Sequence, residues 1–320
     1  MRKLLKRALR NFGYELQRIR RAERGLSLDR LAGEHNCLIA GPFLGELGWE
    51  LMQWQGYLRQ LSKFYSTTIV YGRDSSAYFY KDFATEFRAV NVASWDTDLY
   101  ILHNYDYDSW ANQFRDVDLL VADNRCLGLR SLFDQHFVPF GEPQSENAYD
   151  ILIHARAIPN LEGNPTKWTR NWALENWNEL CNSLKSYRLA AVGVPALSYC
   201  PDGALDLRGV ETEKLCSILA SSRCCIGPSS GVMHLASLCR TPHFVWNATT
   251  DYPWFGGSIS YRYMRSWNPF GTKVRVLTEK GWQPSPTFVR SELVKFLEDS
   301  SRCGFVAKPG FGRCHRSLSQ

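Results

Sequence analysis

The sequence predicts an α/β protein with two doubly wound parallel sheets facing each other across a cleft. Three observations predict it: short apolar runs alternate with helical patterns, the alternation restarts near Asp150, and small-residue turns follow several of the runs directly. A chain of 320 residues, 44% hydrophobic and 22% charged, is long enough to bury a core in each of two such units. The cleft between two such halves is the default place for a ligand.

After a polar stretch to about Asn36, Cys37-Leu38-Ile39-Ala40 reads as a short buried strand. It runs straight into Gly41-Pro42-Phe43-Leu44-Gly45-Glu46-Leu47-Gly48. A helical pattern over Trp49 to Lys63 follows, with Leu51, Trp54, Leu58 and Leu61 on one side. Strand, glycine-rich turn and helix open a βαβ unit. Further strands are expected at Thr67 to Tyr71, Val90 to Ser94 and Leu119 to Ala122. In the second half, strands are expected at Ile151 to Ile153, Leu189 to Val192, Cys224 to Ile226 and His243 to Trp246. Helices are expected between them at Trp172 to Leu184, Glu213 to Ala220 and Val232 to Leu238. Gly141 to Asn147, with Pro143, is the expected linker. The resulting division is a basic helix at 1–25, a first domain at 36–142, a second at 148–299 and a basic tail at 300–320.

Charge is unevenly spread. The net +6 arises at the ends, where residues 1–25 carry nine Lys/Arg against two Glu and residues 300–320 carry four Lys/Arg and no acid. The body between them holds more acids than bases. Leu5, Leu9, Phe12, Leu16 and Ile19 form one stripe of a helix whose other faces carry Lys3, Lys6, Arg7, Arg10, Arg18 and Arg21. Such a helix fits an anionic membrane surface, each basic residue contributing on the order of 1 kcal/mol. An ordinary helix packed on the body is an equally available reading. The one-signed charge favours the membrane, and the lack of interleaved aromatic platforms speaks against nucleic acid as a partner. No apolar run approaches the roughly 18 residues of a spanning helix, and no secretory signal begins the chain. A cytoplasmic protein, held at the inner membrane face if the first helix binds lipid, is the expectation. Ten scattered cysteines suit free buried thiols; Cys303 and Cys314-His315 offer too few ligands for zinc.

Chemistry is expected in the second half, along Cys225-Ile226-Gly227-Pro228-Ser229-Ser230-Gly231-Val232-Met233-His234-Leu235-Ala236. A strand ends, small residues turn the chain, and a helix begins with free amides at Ser230, Gly231 and Val232. Helix N-termini of this kind bind anions, and small side chains let a phosphate approach the backbone. His234, on the first helical turn, reaches toward the same place. Arg156, just past a strand end, and Arg170 are the candidate partners for a diphosphate, since a guanidinium can hold two oxygens at once.

The string from Gly227 to Ala236, with Thr241-Pro242 after it, resembles the donor-site signature of the heptosyltransferase-like glycosyltransferases. Ser229 stands where that family has Asp, and Arg240 where it has Gly. Asp206-Leu207-Arg208-Gly209, Arg170-Asn171-Trp172-Ala173-Leu174-Glu175-Asn176-Trp177 and Thr250-Asp251 are similar to further segments of that domain. Phe43-Leu44-Gly45-Glu46 resembles the turn that carries its general base. The resemblance covers about residues 37–60 and 150–255. It implies a GT-B architecture of two Rossmann-like domains, with the nucleotide sugar held mainly by the second.

It also implies an inverting transfer of sugar to a glycan or glycolipid, with Glu46 as the base and Arg170, Ser229, Ser230, Gly231 and His234 at the donor, where its strand-end position puts Arg156 as well. A helix-capping role for Glu46 stays open beside the catalytic one. Replacement of Asp by Ser229 implies a sugar other than heptose. His154-Ala155-Arg156 resembles a motif of GDP-fucose-dependent transferases, and a non-catalytic nucleotide-sugar-binding protein of the same fold is the reading from another class. No cofactor is expected. Asp96-Thr97-Asp98, Asp106-Tyr107-Asp108 and Asp116-Val117-Asp118 are short acidic pairs that can hold a divalent cation. They lie away from the phosphate turn in sequence, so metal-independent transfer is the expectation.

Overall fold

The structure, a computed structural model, describes residues 36–92, 105–115, 117–122, 135–143, 149–158, 170–248 and 259–302. The basic segment 1–25, the tail beyond Arg302, Asp96, Asp98, Asp116, Thr250, Asp251 and Trp254 lie outside the described residues.

The first sheet holds β1 (Cys37–Phe43), β2 (Thr67–Gly72), β3 (Glu86–Ala89) and β4 (Asp118–Val121), in the order β3-β2-β1-β4. All its pairings are parallel. Gly41 is required in β1: its φ is +121°, and a Cβ there would stand 2.2 Å from the Tyr71 carbonyl oxygen of β2. After β1 comes α1 (Leu47–Trp49), continued by a π-helical stretch (Glu50–Trp54) and α2 (Gln55–Ser62). The apolar side expected there is realised, with Leu51, Trp54, Leu58 and Leu61 all buried. A short helix, α3 (Tyr107–Ala111), precedes β4.

One expected strand is displaced. The sequence predicts it at Val90 to Ser94, whereas β3 pairs with β2 through Glu86 to Ala89. As an edge strand β3 is largely exposed, so its sequence needs no apolar run. Val90 and Val92 instead pack on the small cluster around Ile39, Leu44 and Trp110.

The second sheet is larger. It holds β5 (Ile151–Ile153), β7 (Leu189–Ala191), β9 (Leu205–Asp206), β10 (Cys225–Pro228), β11 (His243–Trp246) and β12 (Val274–Leu277), ordered β12-β11-β10-β5-β7-β9 and parallel throughout. Ranked by position along the chain, that is the 3-2-1-4-5-6 order of a doubly wound dinucleotide-binding fold. Two short strands, β6 (Ala155–Arg156) and β8 (Ser198–Tyr199), pair antiparallel beside it. Helices α4 (Leu174–Ser183), α5 (Thr212–Ala220) and α6 (Gly231–Leu238) cover the sheet, joined by α7 (Ile259–Tyr261), a π-helical stretch (Arg262–Ser266) and α8 (Pro286–Arg302). β12 and α8 lie beyond the elements expected from sequence, although Val289, Leu293, Phe296 and Leu297 recur at helical spacing and are all buried.

Alternate residues of each strand serve different layers. Leu38 and Ala40 of β1 join Leu152, Cys225, Val245, Val232 and Met233 in one cluster shared by both halves. On the far face of the second sheet, Ile151, Ile153, Ile226, Phe244 and Trp246 pack with Trp172, Trp177 and Leu293. At the start of the expected linker, Gly141 has φ +74°, and a Cβ there would meet the Cys216 carbonyl oxygen at 2.2 Å. The link is thus pinned to α5 before it reaches the second sheet. The seven described cysteines are free thiols. Among the described residues no helix is long and apolar enough to cross a membrane.

Candidate functional site

In open parallel sheets, ligands gather beyond the strand carboxyl ends where the strand order reverses. In the second sheet that point lies between β5 and β10. Arg156 follows β5 by three residues, and Ser229 and Ser230 follow β10 directly. Gly227 lets the two strand ends close: a Cβ on it would stand 2.8 Å from the His154 carbonyl oxygen. The turn after β1 comes to the same place, because α1 packs against α6. A Cβ on Gly48 would lie 2.8 Å from His234 Cδ2, and one on Gly231 would lie 3.0 Å from Leu47 Cβ. The two glycine-rich turns singled out from sequence therefore meet, one from each half.

Glu46 occupies the N-cap position of α1 with extended backbone, and its carbonyl accepts from Trp49 and Glu50 N–H at 3.1 and 3.2 Å. Its side chain makes no capping hydrogen bond. Instead it interacts electrostatically with Arg156, where its charge favours the cationic form. Arg156 is only 4% exposed, and burial together with the neighbouring Arg170 lowers its pKa to about 10. Arg156 remains charged near neutrality. Its Nη1 donates to Asn171 Oδ1 at 2.8 Å, while Asn171 is itself anchored on both backbone groups of Ile158 at 3.1 and 2.7 Å. Arg170 stands over the Trp282 ring, 5.5 Å from its centroid, and is partly exposed. Arg156 thus lies within electrostatic reach of both Arg170 and Glu46, which come from different segments.

At the start of α6, Met233 and His234 N–H both reach the Ser230 carbonyl, at 3.1 and 3.3 Å. The amides before them precede any intrahelical acceptor, as in every α-helix. Ser230 and Gly231 are partly exposed. The Ser230 hydroxyl, in contrast, is a buried group with no partner among the described residues. Ser229 is more fully engaged. Its N–H donates to the Trp246 carbonyl at 3.0 Å, and its hydroxyl bonds to Tyr263 OH at 2.7 Å. His234 stacks on Tyr263 with centroids 5.2 Å apart and planes 14° apart, and meets Trp267 edge-on at 4.9 Å. Burial, with His243 and Arg170 nearby, lowers its pKa to about 3, so the imidazole is neutral, and its buried Nδ1 has no partner among the described residues.

The structure thus brings Glu46, Arg156, Arg170, Ser229, Ser230, Gly231 and His234 into one neighbourhood. Three residues that shape it, Asn171, Tyr263 and Trp282, were not singled out for it from sequence. Asn171 lies beside Arg170 and was legible as a polar residue in a motif. Tyr263 and Trp282 reach the site only through contacts distant in sequence, and no local pattern marks them. Tyr263 and Trp267 are buried, while Tyr261 is 52% exposed. His154 donates one ring nitrogen to the Val192 carbonyl at 3.1 Å, which gives it a structural task. Asp106 caps α3, accepting from Ser109 N–H at 2.9 Å and Ser109 Oγ at 2.5 Å. Both its carboxylate oxygens are therefore engaged within that helix.

No family model and no curated protein sequence matches the chain. Solved structures do. The ADP-heptose LPS heptosyltransferase II of E. coli superposes with a TM-score of 0.53 at 16% identity, covering 83% of this chain and 99% of that one. A family 9 glycosyl transferase from Veillonella parvula superposes with a TM-score of 0.51 at 12% identity, covering 84% of this chain and 99% of that one. Over nearly the whole length of those enzymes, this chain has the heptosyltransferase-like GT-B fold of two Rossmann-like sheets.

Proposed function

We propose that the protein is a glycosyltransferase that moves a sugar from a nucleotide-sugar donor to a glycan or glycolipid acceptor with inversion at the anomeric carbon. The observation that carries this reading is the convergence of a carboxylate from the first half, Glu46, on two guanidiniums, Arg156 and Arg170, beside the partly exposed start of α6. The charges have the signs the reaction needs. Glu46 takes the proton from the acceptor hydroxyl as that oxygen bonds to the anomeric carbon. The bond from that carbon to the donor phosphate breaks on the opposite face, and the negative charge left on the diphosphate falls between Arg156, Arg170 and the amides of Gly231 and Val232, the Ser230 amide being turned to the Tyr263 hydroxyl. His234 and the Ser230 hydroxyl, each with an unpartnered polar atom, supply further contacts to the donor. Ser229 shapes the turn through its bond to Tyr263. These groups suffice to neutralise the leaving group without a metal ion. Residues 1–25 hold the enzyme at the cytoplasmic face of an anionic membrane, where a lipid-linked acceptor lies.

A thermal-shift screen against ADP-, UDP-, GDP- and CMP-linked sugars tests the reading. One class should raise the melting temperature by mass action. Glu46→Gln should keep that shift and lower turnover by about 10²- to 10⁴-fold. A chain stabilised by none of the four, or a Glu46→Gln variant as active as its parent, overturns it.

A further inference from the structure

Within the proposed transfer reaction, on which this inference rests, we propose that Arg73 is the positioning residue that aims the Glu46 carboxylate, with buried Glu50 as its counter-charge. The placement follows from strand register. β1 and β2 run parallel with Phe43 beside Gly72, so Arg73, the next residue of the second chain segment, emerges beside Leu44 and Gly45. Its guanidinium donates to both of their carbonyls, to Gly45 O at 2.6 Å and to Leu44 O through the other terminal nitrogen. Those are the two carbonyls immediately before Glu46. Past the end of the β1 ladder they pair with no strand among the described residues, and a planar fork holding both fixes the peptide planes that lead into the N-cap.

The guanidinium is in turn held from behind. Glu50, 1% exposed, accepts from Tyr80 OH at 2.6 Å and Ser76 Oγ at 2.9 Å and interacts electrostatically with Arg73. Burying such a pair is costly, and apolar residues of similar size commonly serve stability as well or better. The arrangement is accounted for by what the guanidinium holds. Glu46 makes no capping bond to its own helix, although a carboxylate at that position has amides within reach. A turn locked from the side by Arg73 fixes the backbone from which the Glu46 carboxylate projects, within electrostatic reach of Arg156 in the other half. Arg73 touches no reacting atom and acts only through Glu46.

The test is a double-mutant cycle on the full chain, reading nucleotide release from whichever of the ADP-, UDP-, GDP- or CMP-linked sugars stabilises the protein, with water as acceptor. Water passes its proton to Glu46 as its oxygen bonds to the anomeric carbon and the carbon–phosphate oxygen bond breaks. Arg73→Gln should lower kcat about 10²-fold, the loss that misplacing a catalytic group by an ångström can produce, and leave the donor KM within about twofold. Arg73→Lys, which offers one point charge to two carbonyls, should recover part of that loss and gives the same comparison if the glutamine variant folds poorly. In the Glu46→Gln background, Arg73→Gln should add less than about threefold, because its route to the chemistry is already cut. Full multiplication of the two losses, or a kcat within twofold of wild type for the folded Arg73 variants, overturns the assignment of Arg73 alone. An active Glu46→Gln, or a wild-type chain that turns over none of the four donors, overturns the base and Arg73 together.

Discussion

Mild acid should destabilise this fold steeply through three buried imidazoles. His154 and His243 have pKa values lowered by burial to about 4, and His234 to about 3, against an ordinary 6.5. In the unfolded chain all three take up protons as the pH falls through about 6.5, whereas the folded chain does not until about 4 or below. Unfolding therefore binds protons across that window, and stability rises with pH there and is lost as pH falls. Near pH 5.5 each histidine is about nine-tenths protonated when unfolded and almost unprotonated when folded, so unfolding takes up between about two and three protons, a slope on the order of 3 to 4 kcal/mol per pH unit. Glu50 acts in the opposite sense. Burial raises its pKa, so the folded chain can protonate it first, which subtracts at most one proton. Against a total stability of roughly 5–15 kcal/mol, two pH units should bring the protein close to unfolding. Denaturant titrations at several pH values, followed by intrinsic fluorescence, measure the slope. His234→Phe keeps an aromatic ring against Tyr263 and Trp267 and should reduce the uptake by about one proton. A wild-type slope corresponding to less than one proton would show that these rings are not held neutral by burial, and the reasoning would fail.

Three substitutions probe the packing that forms the site. Gly48→Ala places a methyl 2.8 Å from His234 Cδ2, on a ring clamped by two aromatics, so overpacking of about 1–3 kcal/mol should outweigh the roughly 1 kcal/mol gained in helix propensity. Calorimetry should show a lower Tm and a smaller stabilisation by donor; an unchanged donor effect would separate the α1–α6 contact from binding. Gly41→Ala adds a Cβ 2.2 Å from the Tyr71 carbonyl oxygen at φ +121°, and should cost more than about 3 kcal/mol. A Tm within a degree or two of wild type would contradict the close approach of β1 and β2. Tyr263→Phe leaves the buried Ser229 hydroxyl without its 2.7 Å partner while keeping the stack on His234, a loss of about 1–3 kcal/mol by denaturant titration. No measurable loss would mean that the hydroxyl finds another partner.

Local pattern was enough to locate the buried strands and their turns. Cys37 to Ala40, Ile151 to Ile153 and Phe244 to Trp246 are apolar because parallel strands covered on both faces must be; the small residues of the Ser230 turn read as room for a phosphate, whereas the structure shows Gly227 and Gly231 also making room for His154 and Leu47. Local pattern also placed Glu46, Arg156 and the Ser230 turn at strand ends, because a strand, a small-residue turn and a helix are local events. It failed at β3, an exposed edge that carries no hydrophobic signal. Packing between distant segments set the strand order, the meeting of α1 with α6, the electrostatic contact of Glu46 with Arg156, the engagement of the Ser229 hydroxyl by Tyr263, and the grip of Arg73 on Leu44 and Gly45. Each joins groups distant in the chain. Hydrophobic periodicity reports the burial of one segment at a time, whereas which polar group answers another is settled when separate segments pack.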